Sequence, residues 1–359
     1  MLVLTNKDVE ALLRIPDCVA ALEDAYRDFG NRDAIDMPRQ DMLGANDRHD
    51  SVHAFKTMSG MWPRGRIAAL RLISDILIWP MVDGKPRREK LALAEPGGRY
   101  NGSVLLFSME TGQLLAILND SAVQKTRVGC TSAVAARHMA RADSRIMGLL
   151  GTGLQAESHL EALASVLPLE LVKVFSPNSH HRESFVARMR EKLRIDVRSV
   201  DDPSEAASGT EILISATNAT APTIDPSWMR PGMHISSVNG KEIPASILNS
   251  VHCLVVHTKA ELTVRAGRGW PSEVPEFTSG EYHRITGSRV DDAATPELKD
   301  VVAGKAAGRT SEGEVTCFYN SQGLGLQFAA LGVIIYREAK RRGVGLDMDD
   351  FYFTQDAHS

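Results

Sequence analysis

The sequence predicts an α/β protein of two units, with a doubly wound parallel sheet in its second half and an antiparallel or mixed sheet in its first. Three observations predict this. From Arg145 onward, short strongly apolar runs alternate with amphipathic helical stretches, the pattern of a parallel sheet covered on both faces. A glycine-rich turn follows directly on the first of those runs. From about residue 35 to 120, by contrast, β-like segments follow one another with only turns between them. A length of 359 residues suits two such cores better than one.

The elements follow in order. Thr5 is placed to cap a first helix, with Asp8 and Glu10 in its opening turn and apolar residues at Val9, Leu12, Leu13, Val19, Leu22 and Tyr26. Pro16 is expected to interrupt this helix and Gly30 to end it. Strands are expected at Ser51–Met58, Ile67–Ile76, Gly102–Ser108 and Gln113–Asn119, with a hairpin turn at Met109-Glu110-Thr111-Gly112. Val123–Ala140 carries small residues spaced for close helix packing. The parallel strands are expected at Ile146–Leu150, Leu171–Phe175, Asp196–Ser199, Ile212–Ala216, His234–Val238 and Cys253–Val256. A last helix, Gly323–Arg342, has Leu326, Phe328, Leu331, Ile334 and Ile335 on its apolar side. A doubly wound sheet is complete before this tail, so the tail is expected to return to the first unit. The boundaries are then 1–122 and 318–359 for a discontinuous α+β unit, and 123–317 for the parallel one.

Composition excludes several classes. Net charge is −4 with both signs interspersed, so there is no electrostatic footprint for nucleic acid. The basic clusters Arg87-Arg88-Glu89-Lys90 and Lys340-Arg341-Arg342 are short and read as solvated helix ends or loops. No apolar run reaches the roughly 18 residues of a membrane span, and the N-terminus lacks the layout of a signal peptide. Cys18, Cys130, Cys253 and Cys317 are scattered, as buried thiols in a reducing compartment would be, so a cytoplasmic location is expected. No metal is implied, since the adjacent His180 and His181 lack partner ligands at metal-site spacing.

The strongest motif is Ile146-Met147-Gly148-Leu149-Leu150-Gly151-Thr152-Gly153-Leu154-Gln155-Ala156, a G-x-G-x-x-A run between an apolar strand and a helical stretch at Glu157–Val166. Gly151 allows the tight turn, Gly153 lets backbone approach a pyrophosphate, and Ala156 seats the helix against the strand. Thr152, Leu154 and Gln155 complete the loop, whose helix amides would meet the phosphate charge. The unit is therefore read as a Rossmann domain for a nicotinamide dinucleotide. An acid at the end of the second strand would favour NAD; here stands Ser176, with Arg182, His180 and His181 following, so the reading leans to NADP(H).

Thr126-Arg127-Val128-Gly129-Cys130-Thr131-Ser132-Ala133-Val134-Ala135-Ala136, just ahead of the Rossmann strand, resembles the ornithine cyclodeaminase/mu-crystallin family. Pro231–Gly240 and Asn320-Ser321-Gln322-Gly323-Leu324-Gly325-Leu326 match it as well. The resemblance implies an NAD(P)-binding Rossmann domain, plus a substrate domain built from both chain ends that pairs with its twin as a homodimer. It implies hydride exchange at the α-carbon of an amino or imino acid. By this resemblance Arg39, Arg71 and Arg127 bind the substrate carboxylate, and Arg127 touches the cofactor as well. Ala216, Thr217, Asn218 and Val238 line the nicotinamide pocket, and Ser321 and Gln322 close over it.

Three departures refine the reading. Arg71 stands where the family usually has a lysine, and an arginine titrates too high to exchange protons near neutrality. Arg71 is then a clamp or polariser, Lys56 the nearest substitute acid or base, and His53 a further candidate. Asn218 replaces the aspartate of true cyclodeaminases, which argues against cyclisation of ornithine or lysine. Gln327-Phe328 replaces a common Glu-Asp pair, so the substrate pocket differs, with Trp79, Trp270 and Tyr282 as candidate aromatic walls. The expected activity is that of an NAD(P)-dependent amino-acid dehydrogenase or imine (ketimine) reductase. A cyclodeaminase that recycles its cofactor and a catalytically silent binding protein are the alternatives.

Overall fold

A computed structural model describes the chain apart from residues 49, 83–84, 87, 94–97, 99, 220, 239, 268–286, 321 and 357–359. The first unit opens with β1 (Leu2–Leu4), α1 (Asn6–Leu12) and α2 (Ile15–Gly30). Thr5 caps α1 as expected, and Asp8 bonds back to it to complete a capping box. Pro16 breaks the helix as expected, and sits in the first turn of α2, where its missing N–H costs nothing. The long strands β2 (Ile35–Ala45), β3 (Ser51–Trp62) and β4 (Ile67–Ile78) follow, then the short β5 (Glu89–Leu91) and the hairpin β6 (Asn101–Ser108) and β7 (Leu114–Asn119). The helix α3 (Asp120–Met139) leads into the second unit.

That unit runs β8 (Ile146–Leu150), α4 (Leu154–Ala164), β9 (Leu171–Phe175), α5 (Ser179–Leu193), β10 (Asp196–Ser199), α6 (Pro203–Ala207), β11 (Ile212–Ser215), β12 (His234–Ser237), α7 (Ala245–Ser250) and β13 (Cys253–Val256). After it come β14 (Thr263–Ala266), α8 (Leu298–Val302), β15 (Thr316–Tyr319), α9 (Gly325–Arg342) and β16 (Leu346–Asp347). The seven-stranded sheet is parallel throughout, in the order β10-β9-β8-β11-β12-β15-β13. Its order reverses between β8 and β11, which opens a crevice beyond their carboxyl ends.

The other sheet has nine strands, ordered β14-β2-β3-β4-β6-β7-β1-β16, with β5 on the far end of β4. Two of its features depart from the sequence expectation. β14 comes from the Rossmann segment yet pairs in parallel with β2. Phe318 and Tyr319, placed by sequence in the first unit, instead complete β15 of the parallel sheet. Both strands are only four residues long, too short for periodicity to reveal.

Side chains alternate across β3 and β4, so Val52, Ala54, Lys56, Met58 and Trp62 share an inner face with Ile67, Ala69, Arg71, Ile73, Asp75 and Leu77. One end of that face, with Met58, Trp62, Ile67 and Ala69, joins the core beneath α9. The other end is a small apolar cluster of Leu43, Val52, Ala54 and Leu77. Between them runs a band of buried charge.

Candidate functional site

The crevice between β8 and β11 is built for a dinucleotide. Gly151 has φ +109, and a Cβ there would lie 2.3 Å from the Ala216 carbonyl oxygen, so only glycine lets β8 turn this close to the end of β11. Gly153 is the N-cap of α4, and no side chain caps that end. A Cβ on Gly153 would meet no atom within 4 Å, so open space lies over the free helix amides. Thr152 and Gln155 are half-buried beside it and Leu154 is exposed. These features fit a pyrophosphate. Across the crevice the fully buried Glu242 accepts hydrogen bonds from the Ser215 hydroxyl (2.8 Å) and from the amide and hydroxyl of Thr217 (2.7 Å each). It thereby shapes the turn that carries Ala216, Thr217 and Asn218. Val238 lies half-buried just past β12.

A band of buried charge lies on the inner face of the nine-stranded sheet. A bulge in β2 between Met37 and Gln40 resets the alternation after Pro38, so that Arg39 and Asp41 turn inward beside Lys56. Three ion pairs result. Arg39 binds Asp41 through two bonds of 2.7 Å. Lys56 Nζ lies 2.7 Å from Asp75 Oδ2, with both side chains at most 3% exposed. Arg71 holds Asp120 Oδ2 through Nε at 2.7 Å and Nη2 at 2.6 Å. Burial pushes Lys56 down to about 8, against the pull of Asp75.

Arg127, on α3, is different. It is buried, and its hydrogen bonds go to neutral amides: Gln124 Oε1 at 3.2 and 3.0 Å and Gln327 Oε1 at 3.1 Å. Among the described residues no carboxylate pairs with it. Burial, and then the nearby Arg71, push its pKa down to about 9, which leaves it cationic near neutrality. The Phe328 ring lies under both guanidiniums, 4.9 Å from Arg71 and 5.8 Å from Arg127. Gln327 also donates to the Tyr26 hydroxyl (2.9 Å) and to Thr131 Oγ1 (2.6 Å). Tyr26 meets His257 Nε2 at 2.7 Å, and His257 Nδ1 donates to the Gln322 carbonyl. A buried chain thus runs from Arg127 to the loop that precedes α9. Asp36 anchors the start of that helix by accepting from the Leu326 amide at 2.8 Å.

A profile of the ornithine cyclodeaminase/mu-crystallin family matches residues 94–343. The chain belongs to that family. A Delta(1)-pyrroline-2-carboxylate reductase of Bacillus cereus is 25% identical over 351 residues, covering 96% of this chain and 98% of the relative. An alanine dehydrogenase of Archaeoglobus fulgidus is 28% identical over 67% of this chain and 71% of its own length. The structure of Thermococcus litoralis Delta(1)-pyrroline-2-carboxylate reductase with NADH and L-proline superposes with a TM-score of 0.75 at 25% identity, covering 97% of this chain and all of that one. Within the family, this chain is an enzyme, an NAD(P)-dependent oxidoreductase acting on the carbon–nitrogen bond of α-amino or α-imino acids.

With the family in view, the placement of the expected residues is plain. Arg39, Lys56, Arg71 and Arg127 come together, close enough that Arg39 weighs on the charge of the other three. His53 does not join them. It sits on the opposite face of β3, bonded to Ser74 Oγ at 2.9 Å. Arg182 lies beside Ser176, but its guanidinium turns inward to the Ser176 carbonyl (2.8 Å), Ser199 Oγ (2.7 Å) and Asp201. Gln322 is buried and donates to the Ala260 carbonyl. Trp79 borders the small apolar cluster, while Ser321, Trp270 and Tyr282 fall outside the described residues. Sequence reasoning missed Asp41, Asp75, Asp120, Tyr26, His257 and Glu242. Asp75 and Asp41 were within reach, four residues after Arg71 and two after Arg39 on the same strands; nothing local marks the others.

Proposed function

We propose that this chain reduces the C=N bond of an α-imino acid with NAD(P)H, and that Arg127 holds the substrate carboxylate. The observation that carries this is the buried Arg127 guanidinium, whose hydrogen-bond partners among the described residues are all neutral. A cation so placed is an anion site, because burial without a counter-charge is costly until an anion arrives. Arg39 and Arg71 flank it, each held by its own aspartate. Gly151, Thr152, Gly153, Leu154 and Gln155 hold the pyrophosphate in this reading, and Ala216, Thr217, Asn218, Val238 and Gln322 border the nicotinamide. The cofactor supplies the hydride. We assign the unit boundaries with β15 in the Rossmann domain and residues after it in the substrate domain.

Lys56 is the proton donor in this proposal. Its ammonium is mostly protonated at neutral pH yet depressed enough to release a proton. The reductive rate should therefore fall as pH rises through about 8. A profile that stays level to well above that value would remove Lys56 from the role.

For the nucleotide we lean to NADP(H), because no carboxylate stands at Ser176 to repel a 2′-phosphate. Arg182 is spent on internal partners, so the exposed Ser179, His180 and His181 would have to carry that preference. A homodimer belongs to the same proposal. Ile35, Met37, Met42 and Met61, 38–53% exposed, crowd the outer face of β2 and β3. The free cysteines suit a cytoplasmic setting. The test is absorbance of NADPH and NADH with Delta(1)-pyrroline-2-carboxylate and with α-keto acids plus ammonia or methylamine. Oxidation with one acid class is expected. Saturable nucleotide binding with no oxidation, but ammonia release from ornithine, would replace the proposal by a cyclodeaminase.

A further inference from the structure

We infer that Tyr26 and His257 are positioning residues for Arg127. With Gln327 they form a hydrogen-bond chain of fixed direction that presents a carbonyl oxygen to the guanidinium and leaves it donors for a carboxylate. This deepens the reading of Arg127 as the carboxylate ligand and rests on it.

The direction follows from which atoms can donate. The Gln322 carbonyl only accepts, so the His257 proton on that side sits on Nδ1. His257 is buried, and burial, then the charge of Arg127, push its pKa down to about 3, with Glu297 acting weakly the other way. The ring is therefore neutral near pH 7, and its bare Nε2 accepts from the Tyr26 hydroxyl at 2.7 Å. With that proton spent, the Tyr26 oxygen accepts from Gln327 Nε2 at 2.9 Å. Thr131 Oγ1 lies 3.0 Å from the Tyr26 hydroxyl and 2.8 Å from the Arg127 carbonyl, and it accepts from the same Nε2 at 2.6 Å. Both hydrogens of the Gln327 amide are then assigned. Its Oε1 must be the atom that meets Arg127 Nη1 at 3.1 Å and the Leu324 amide at 2.9 Å. The opposite orientation would set N–H against guanidinium, donor against donor.

The consequence falls on Arg127. Of its five N–H groups, Nε and one on Nη2 go to Gln124, and one on Nη1 goes to Gln327. Among the described residues one N–H stays uncommitted on each Nη, the number a carboxylate takes in a paired contact. The loop ahead of α9 meets the same chain at three successive residues. The Gln322 carbonyl accepts from His257, and the Leu324 amide donates to Gln327. Between them Gly323 passes so close that a Cβ there would lie 2.5 Å from Arg127 Nη1. His257 follows β13, Tyr26 lies on α2 and Gln327 on α9, so the pose of Arg127 on α3 depends on groups from across the chain.

The test is Tyr26→Phe, which keeps the ring and removes the hydroxyl. With Delta(1)-pyrroline-2-carboxylate, KM should rise about tenfold while kcat and the affinities for NADPH and NADH stay within about threefold. In an Arg127→Met background the same change should alter kcat/KM less than about twofold, because no guanidinium is left to position. A penalty that persists undiminished there would make Tyr26 a packing residue and overturn the inference, as would an unchanged KM in Tyr26→Phe alone. If Arg127→Met itself costs nothing, the carboxylate reading fails instead, and the positioning role falls with it. A second measurement needs no turnover. In the unaltered protein, long-range ¹H–¹⁵N spectra should show His257, identified by its loss in His257→Asn, with the proton on Nδ1 and no titration between pH 6 and 9. The other tautomer, or a ring that titrates in that range, would break the chain at its first link and overturn the inference.

Discussion

Arg127→Met is expected to lower kcat/KM for the imino acid by about a hundredfold to a thousandfold, while nucleotide affinity changes far less. The magnitude follows from a charge-assisted, desolvated contact, whose loss costs about 2–5 kcal/mol. Methionine keeps the volume of the side chain and its contact with Phe328, so packing should suffer little. It does leave Gln327 Oε1 without the Arg127 donor, although the Leu324 amide still reaches that atom at 2.9 Å. The space is tight, since a Cβ on Gly323 would lie 2.5 Å from Arg127 Nη1, and the melting temperature should be recorded beside the kinetics. Gln327→Glu is the companion variant. It keeps the shape but hands Arg127 a carboxylate, so it should raise KM with the guanidinium still in place. An unchanged KM in both variants would show that the substrate carboxylate binds elsewhere.

Gly151 and Gly153 should both lose nucleotide affinity on substitution by alanine, but only Gly151→Ala should lose stability. Gly151→Ala puts a Cβ at φ +109 and 2.3 Å from the Ala216 carbonyl, so the turn between β8 and α4 must move. A loss of about 2–4 kcal/mol of stability is expected, and nucleotide binding should go with it. Gly153→Ala sits at an ordinary φ of −83 with empty space ahead of it. Its melting temperature should hold while nucleotide affinity drops, because the new methyl occupies the room left for the pyrophosphate. Denaturant curves and fluorescence titrations with NADPH and NADH separate the two. Equal nucleotide affinity in Gly153→Ala and the unaltered chain would mean that the phosphates lie off this loop.

How much of this was legible in the sequence varies with the range of the interaction. The helix cap at Thr5, the hairpin at 109–112 and the turn at Gly151 each depend on a few neighbouring residues, and each forms as expected. The candidate site depends on partners far apart. Arg71 meets Asp120 across 49 positions, and Arg127 meets Gln327 across 200. Arg182 shows the limit from the other side. Its place near the end of β9 suggested a phosphate ligand, yet only the folded positions of Ser199 and Asp201 show that its donors are already taken.

The sequence by itself determined the parallel sheet, the dinucleotide loop and the family, because these rest on hydrophobic period and on backbone geometry that specific glycines permit. It also placed four cations that the fold gathers at one site. Only the tertiary structure decided which of them is electrostatically free. A side chain's effective charge depends on what it meets after burial, and Asp41, Asp75 and Asp120 reach their cations through a bulge, a strand pairing and a helix start. Among the described residues, aspartates pair with three of the four cations, while Arg127 meets Gln327 rather than an acid.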